Sequence, residues 1–239
     1  MTTILMLLLL GSLAGLVTTV AGLGGGLALL LALSLFWDPH QALAATAIAL
    51  LIGNVHRVWM LRQHVSKKVV RAFAIGAVPG SIAGGWLAVA VPAWVVQVFM
   101  VGSTALSIGH ALSGTTWRPG PKAIAPAGVL IGGLTGVSGG AAVLTSPLFL
   151  AAGLSGEAYV ASMSLSAVLM HIGRIVAYGA GGLITTTTLG YAALLALAIL
   201  AGNLAGRKLR TLTSKLPGRS LEYVSLVVCA ALAVLGLGR

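Results

Sequence analysis

Residues 21–26 read Ala-Gly-Leu-Gly-Gly-Gly and interrupt an apolar run that extends from Ile4 to Trp37. A second long apolar run, from Ala123 to Ala152, contains the related stretch Thr-Gly-Val-Ser-Gly-Gly at residues 135–140. Each glycine costs a helix about 1 kcal/mol relative to alanine. In lipid, a non-helical backbone persists only where protein or a polar cavity covers it. In a chain this apolar, the two stretches predict two covered helix breaks.

The composition places the chain in a membrane. It has 239 residues, of which 58% are hydrophobic and only 7% are charged, whereas about 25% of the residues of a soluble domain are charged. A soluble enzyme, a nucleic-acid-binding protein and a secreted domain are therefore excluded. We predict an all-α polytopic membrane protein that has the lipid bilayer, and no nucleic acid, as its partner.

The ionisable residues limit the chemistry further. Lys and Arg number 14 against 3 Asp and Glu, and the basic residues lie mostly in short loops, where they set topology. The single cysteine, Cys229, excludes a disulfide framework, a multi-cysteine metal site and dithiol redox chemistry. We expect no catalytic residue, no metal and no cofactor.

Six other apolar segments are long enough to cross the bilayer, which takes about 20 helical residues. They lie near residues 41–61, 70–90, 93–112, 157–179, 187–205 and 220–237.

The order of motifs recurs along the chain. The two glycine-rich stretches, 21–26 and 135–140, are each followed by a small-residue motif and then by a polar motif that ends in arginine. The matching motifs are Ala42–Thr46 with Ala158–Ser162, and Asn54–Arg57 with His171–Arg174. The sequence therefore predicts an internal duplication, with a first repeat at 1–113, a cytoplasmic linker at 114–122 and a second repeat at 123–239.

The loop charges predict how the repeats are oriented. The loops 62–71, 114–122 and 206–219 are basic and are expected in the cytoplasm, whereas 91–93 and 180–186 are uncharged and are expected outside. If every apolar segment between the first and last basic loops crossed once, those two loops would lie on opposite sides. The conflict disappears if each glycine-broken run enters the membrane and returns as a re-entrant hairpin.

Such a hairpin has two arms of roughly 15 residues, each about 22 Å long at 1.5 Å per residue. Each repeat then contains one hairpin and three transmembrane helices, and the odd number of crossings makes the two repeats antiparallel. Inverted-topology repeats of this kind are typical of secondary transporters. The N-terminus is expected outside.

These motifs resemble those of the TauE/SafE-type family of sulfite and organosulfur anion exporters. The resemblance rests on the glycines of 21–26, the Ala42–Thr46 motif and the basic loop after it, and, in the second half, on glycines before Pro147 and on His171, Arg174 and Tyr178. Two positions depart from the family pattern: Leu33 replaces a frequent proline, and His171 stands where an amide is more usual. The resemblance implies a bacterial inner-membrane carrier of sulfite, sulfonates or related carboxylates.

The two breaks are candidate substrate-binding elements. An opened backbone presents free N–H groups, and the helix that follows presents the positive end of its dipole; both suit an anion. The alternative is close helix packing through small residues. The candidate residues here are Gly24, Gly25, Gly26, Ser138, Gly139 and Gly140.

Two arginines fall within predicted membrane helices. A guanidinium at the helix centre costs at least about 2.5–3.5 kcal/mol, so Arg57 and Arg174 are expected to face a partner or a cavity. Arg57 has an alternative, since it lies about a turn from the cytoplasmic end and could extend to the headgroups. Arg174 lies near the outer end of its helix, where topology does not require a positive charge.

Other polar residues share these helices. His171 could bind the anion, carry a coupling proton or make an interhelical hydrogen bond. Thr46, Asn54 and Ser162 can donate hydrogen bonds to an oxyanion, and each could instead join helices.

Two competing functions remain beside a secondary anion transporter. A passive anion channel would share the basic lining, and a membrane-embedded enzyme or assembly partner is a third possibility. Asp38, Glu157 and Glu222 lie in loops or at helix ends, so the sequence offers no carboxylate at membrane depth for general acid–base chemistry. The anion, the direction of transport and the oligomeric state, with a homodimer as one option, are left open.

The hairpin topology makes a labelling prediction. Single cysteines at Ser66 and Ser214, in a Cys229→Ala background, should both be shielded from an impermeant thiol reagent in whole cells, because both basic loops are cytoplasmic. A cysteine at Thr186 should react. Labelling that places positions 66 and 214 on opposite faces would contradict the antiparallel repeats.

Overall fold

A computed structural model describes residues 2–21, 24–112, 120, 123–140 and 144–212. The apolar segment at 220–237, with Glu222 and Cys229, lies outside the described residues, as do Ser214 and all of the predicted linker except Gly120. The domain boundaries therefore stay predictions.

The described residues form nine α-helices and one short 3-10 helix, with no strand among them. The α-helices are α1 (Thr2–Ala21), α2 (Gly25–Ser34), α3 (Pro39–Met60), α4 (Lys67–Ala90), α5 (Ala93–Leu112), α6 (Ile124–Ser138), α7 (Thr145–Ala151), α8 (Gly156–Ala180) and α9 (Thr186–Leu212), and the 3-10 helix is Arg62–His64. Five of them, α1, α3, α4, α8 and α9, are long and apolar enough to cross a membrane. The prediction of a polytopic, all-helical membrane protein is confirmed.

Both predicted helix breaks are present. Gly24 has a φ of 91° between α1 and α2, and Gly139 has a φ of 72° after α6. These are left-handed conformations that glycine adopts without the steric cost that other residues meet. The expectation of two equal arms is wrong. The arms have 20 and 10 residues around the first break and 15 and 7 around the second.

Two parallel helix pairs are packed closely through glycine. Gly15 of α1 lies against the backbone of Ile199 in α9, and Gly80 of α4 lies against the backbone of Val129 in α6. The partner helices also contribute glycines to these contacts: Gly202 of α9 lies against the backbone of α1, and Gly132 of α6 lies against the backbone of α4. A side chain at these positions would separate the helices, so the glycines set the distance between them.

The helices α3 and α8, which carry the two polar motifs, run antiparallel. His64, just after α3, pairs with Glu157 at the start of α8, with 3.1 Å between Nε2 and Oε2. Asn54, within α3, contacts His171 far along α8. As residue numbers rise in one helix they fall in the other.

The helices that follow the two breaks, α2 and α7, each end beside the start of another long helix. Trp37, after α2, stacks on Tyr191 near the start of α9, with ring centroids 4.6 Å apart, and α9 runs parallel to α1. Phe149 of α7 packs edge-on against Phe73 near the start of α4, and Phe73 lies beside Gly128 of α6. The helix α4 begins near Phe73, and its far end approaches the start of α3 through the contact of His40 with the Val91 carbonyl. The helices α2 and α7 therefore end at opposite ends of the bundle.

Two adjacent glycines of α6 provide a test of the close packing. A Cβ at Gly132 would lie 2.9 Å from the Ala77 Cα, whereas among the described residues a Cβ at Gly133 would meet only the Gly80 carbonyl oxygen, at 3.8 Å. Overpacking costs about 1–3 kcal/mol, while alanine favours the helix over glycine by about 1 kcal/mol. Gly132→Ala should lower the thermal unfolding temperature of the detergent-purified protein and Gly133→Ala should not. Equal effects would contradict the close α4–α6 contact.

Candidate functional site

A cavity of about 70 Å³ lies where the two helix breaks meet α3 and α8. On a comparable measure one water needs about 10–15 Å³, so the space fits a few waters or one small anion. Its lining comes from both breaks and both helices: Thr18, Gly24, Gly26, Leu27, Leu50, Asn54, Arg57, Gly139, Gly140, Thr145, Met163, Ser164, Ala167, Met170 and His171. The structure thus brings together seven of the residues predicted from the sequence.

Arg57 lies in the cavity wall. Its side chain is only 2% exposed, so the alternative that it extends to the headgroups is wrong. Its Nη1 donates to the Thr18 carbonyl at 3.4 Å, near the end of α1. Its Nε has no hydrogen-bond partner among the described residues.

Arg174 lies behind the second break and does not line the cavity. It is 0% exposed, and a Cβ added to Gly139 would come within 2.9 Å of its Nη1. None of its three guanidinium nitrogens makes a hydrogen bond of ordinary geometry to a described residue. Its polar neighbour is Tyr178, whose hydroxyl donates to the Gly136 carbonyl. Gly139 therefore separates this cation from the cavity.

Neither arginine has a carboxylate partner in the part of the chain that the structure describes. Asp38 caps α3 by accepting from the His40 and Gln41 amides, and Glu157 pairs with His64. The compensation available is partial. The last carbonyls of α1 and α6 lack helical partners and form the negative ends of helix dipoles. The site keeps an excess of positive charge, which suits an anion.

Asn54 and His171 occupy equivalent positions in the two sequence motifs and contact each other. The Asn54 Nδ2 lies 3.2 Å from His171 Nε2 and also donates to the Leu50 carbonyl at 2.8 Å. The His171 Nδ1 is buried without a partner among the described residues. Of the three alternatives for His171, the interhelical hydrogen bond is present, and one ring nitrogen is left without a partner among the described residues.

Two further cavity residues, Thr145 and Ser164, were not identified from the sequence. Their hydroxyl oxygens are buried and have no partner in the described part of the chain. Helical periodicity could have identified Ser164, which lies seven residues, or two turns, before His171 on the same face. Ser162, chosen instead, lies nine residues before His171 and so on the opposite face. No sequence signal pointed to Thr145.

The remaining predicted residues are buried but do not line the cavity. The Thr46 hydroxyl donates to the Ala42 carbonyl of its own helix at 2.7 Å. The Ser162 hydroxyl accepts from the Ser66 amide at 2.9 Å. The Ser138 hydroxyl donates to the Leu134 carbonyl and accepts from Ser103, and Gly25 packs against Ala14 and Thr18. Their contacts support the helices and the two breaks.

Comparison with known proteins identifies one family. The family model described as sulfite exporter TauE/SafE matches residues 7–235, nearly the whole chain. Searches of curated proteins and of solved structures gave no match.

Two serines of α8 provide a matched test of the cavity. Ser164 and Ser166 are both buried, and both hydroxyls lack a partner among the described residues, but only Ser164 lines the cavity. A hydrogen bond to a charged group contributes about 1.5–3 kcal/mol. Ser164→Ala should therefore weaken sulfite binding, measured by calorimetry on the purified protein, roughly tenfold or more. Ser166→Ala should leave it unchanged; equal losses would place the site elsewhere.

Proposed function

The chain belongs to the sulfite exporter TauE/SafE family of membrane transporters, and we propose that it is a secondary transporter of a small anion. The anion would be an inorganic or organic sulfur oxyanion or a related carboxylate, and the membrane the bacterial inner membrane. The binding site would be the cavity between the two helix breaks.

The observation that carries the proposal is the buried Arg57 guanidinium in the cavity wall, without a carboxylate among the described residues to neutralise it. A buried charge is strongly unfavourable unless it is paired. An anion in the cavity would supply the missing charge, and Thr145 and Ser164 would give it further hydrogen bonds.

The amides of the breaks would add to this site. The first-turn N–H groups of α2 have no acceptor within the helix, and Gly24 and Gly26 line the cavity at this point. The positive end of the α2 dipole favours a negative charge there. Glycine at these positions leaves the backbone accessible to a ligand.

We further propose that the chain is an inverted repeat with two re-entrant hairpins and an external N-terminus. If α1 corresponds to α6 and α4 corresponds to α9, the packing of α1 on α9 corresponds to the packing of α6 on α4. The corresponding helices α3 and α8 run antiparallel. The basic ends of α3 and α9 lie on one side, since Arg207 is close enough to His56 to interact with it. The positive-inside rule makes this side cytoplasmic.

An inverted repeat can exchange the conformations of its two halves, which moves access from one side of the membrane to the other. In the present conformation Arg57 lines the cavity and Arg174 is covered by Gly139. In the exchanged conformation Arg174 would line the cavity instead. The driving force would be the gradient of the anion or of a coupled proton.

Substitution of Arg57 tests the proposed site. Arg57→Ala should weaken sulfite binding about tenfold to a hundredfold, because it removes a charge-assisted hydrogen bond. Arg57→Lys should keep part of the affinity, since lysine keeps the charge but not the planar fork. Sulfite uptake into proteoliposomes should be saturable in the wild-type protein and reduced in parallel in the variants.

The control for this experiment is Arg62→Ala, which removes an exposed basic residue outside the cavity and should change neither binding nor uptake. An unchanged affinity in a folded Arg57→Ala protein would overturn the site. An ohmic single-channel current in place of saturable uptake would identify the protein as a channel.

A further inference from the structure

The contact between Asn54 and His171 determines which nitrogen of the imidazole carries a proton. The Asn54 Nδ2 has two hydrogens, and the structure gives it two partners, the Leu50 carbonyl at 2.8 Å and His171 Nε2 at 3.2 Å. The Nε2 atom must then accept and carries no proton. A neutral imidazole has one proton, and here it belongs on Nδ1.

The surroundings of His171 favour the neutral ring. Asn54 and Arg57 face it from α3, and Arg174 lies one turn away on its own helix; both guanidiniums act on it electrostatically. The helices α2, α6 and α7 contain no titratable side chain, and those of α4 lie in its first two turns. A third positive charge would be repelled by two others. A proton on Nε2 would also face the N–H of the Asn54 amide.

We propose that Asn54 holds His171 as a neutral ring protonated on Nδ1, so that His171 is a hydrogen-bond donor to the anion and not a carrier of a coupling proton. The site would then select anions that carry no proton of their own, sulfonates over phosphates. Asn54 is the positioning residue and His171 the specificity-determining one. This inference rests on the proposed function of the cavity.

The chemistry of the cavity wall supports this selectivity. The free Arg57 Nε and His171 Nδ1 are donors only in these states, and no carboxylate is among the described residues that line the cavity. A sulfonate has three acceptor oxygens and no proton, so it matches the donors. Inorganic phosphate near neutral pH keeps at least one hydroxyl, and that hydroxyl would need a strong acceptor. If the phosphate hydroxyl were buried without an acceptor, the binding free energy would become less favourable.

The test uses methanesulfonate and inorganic phosphate as probes, with binding to the purified full chain measured by calorimetry. The wild-type affinity for methanesulfonate should be the same within about twofold at about pH 6 and pH 8, a range in which a free histidine loses its charge. Phosphate should bind about tenfold more weakly or worse, as expected for one unsatisfied buried donor.

Variants separate this role from a purely structural one. Asn54→Asp supplies a carboxylate that can accept a hydrogen bond from a protonated Nε2 and so favours the doubly protonated His171. Methanesulfonate should then bind more weakly at about pH 8, where that extra proton is lost, than at about pH 6. His171→Asn can place an amide N–H near the position of Nδ1 and should keep an affinity without pH dependence. His171→Leu has no donor and should lose roughly tenfold.

The control is His64→Gln, which changes an exposed histidine paired with Glu157 and should change neither affinity nor pH profile. A wild-type affinity that rises about tenfold from pH 8 to pH 6 would identify His171 as a proton carrier and overturn the proposal. Phosphate binding as tight as methanesulfonate would also overturn it. Both outcomes are measured on the wild-type protein, so the proposal can be tested even if a variant does not fold. The absence of binding by either probe would overturn the proposed function itself.

Discussion

The burial of two guanidinium groups inside an apolar helical bundle is the constraint on which the rest of the structure depends. Arg57 and Arg174 are almost fully buried, and neither has a carboxylate partner among the described residues. The final carbonyls of α1 lie beside Arg57, whose Nη1 donates to the Thr18 carbonyl, and Gly139 at the end of α6 lies against Arg174. The breaks therefore surround the arginines with backbone as well as forming a cavity.

The placement of glycine makes this arrangement possible. Gly24 and Gly139 take left-handed conformations, which open the backbone at the level of the arginines. Glycines such as Gly15 and Gly80 instead lie on helix surfaces and bring α1 onto α9 and α4 onto α6. Close packing in these two pairs holds the broken helices in place, so that the opened backbone stays covered by protein, as the lipid environment demands.

Part of this structure could be predicted from the sequence and part could not. Glycine clusters and arginines in apolar runs are costly, so the breaks and the buried cations were foreseeable. Alignment of the two halves pointed to Ser162, but the angular position along α8 brings Ser164 to the cavity. The separation of Arg174 from the cavity by Gly139 depends on the tertiary conformation. Matching motifs along a sequence indicate which residues are comparable, whereas which of them reach the cavity depends on how the helices pack.

The pairing of the broken helices has a consequence for synthesis of the chain. The helix α6 packs on α4, which precedes it, but α1 packs on α9, which is made last among the described helices. The glycine face of α1 therefore stays without its partner while most of the chain is translated and inserted. Contacts between segments this distant in sequence form late and slowly. The packing of α1 on α9 is therefore completed only after α9 has been inserted.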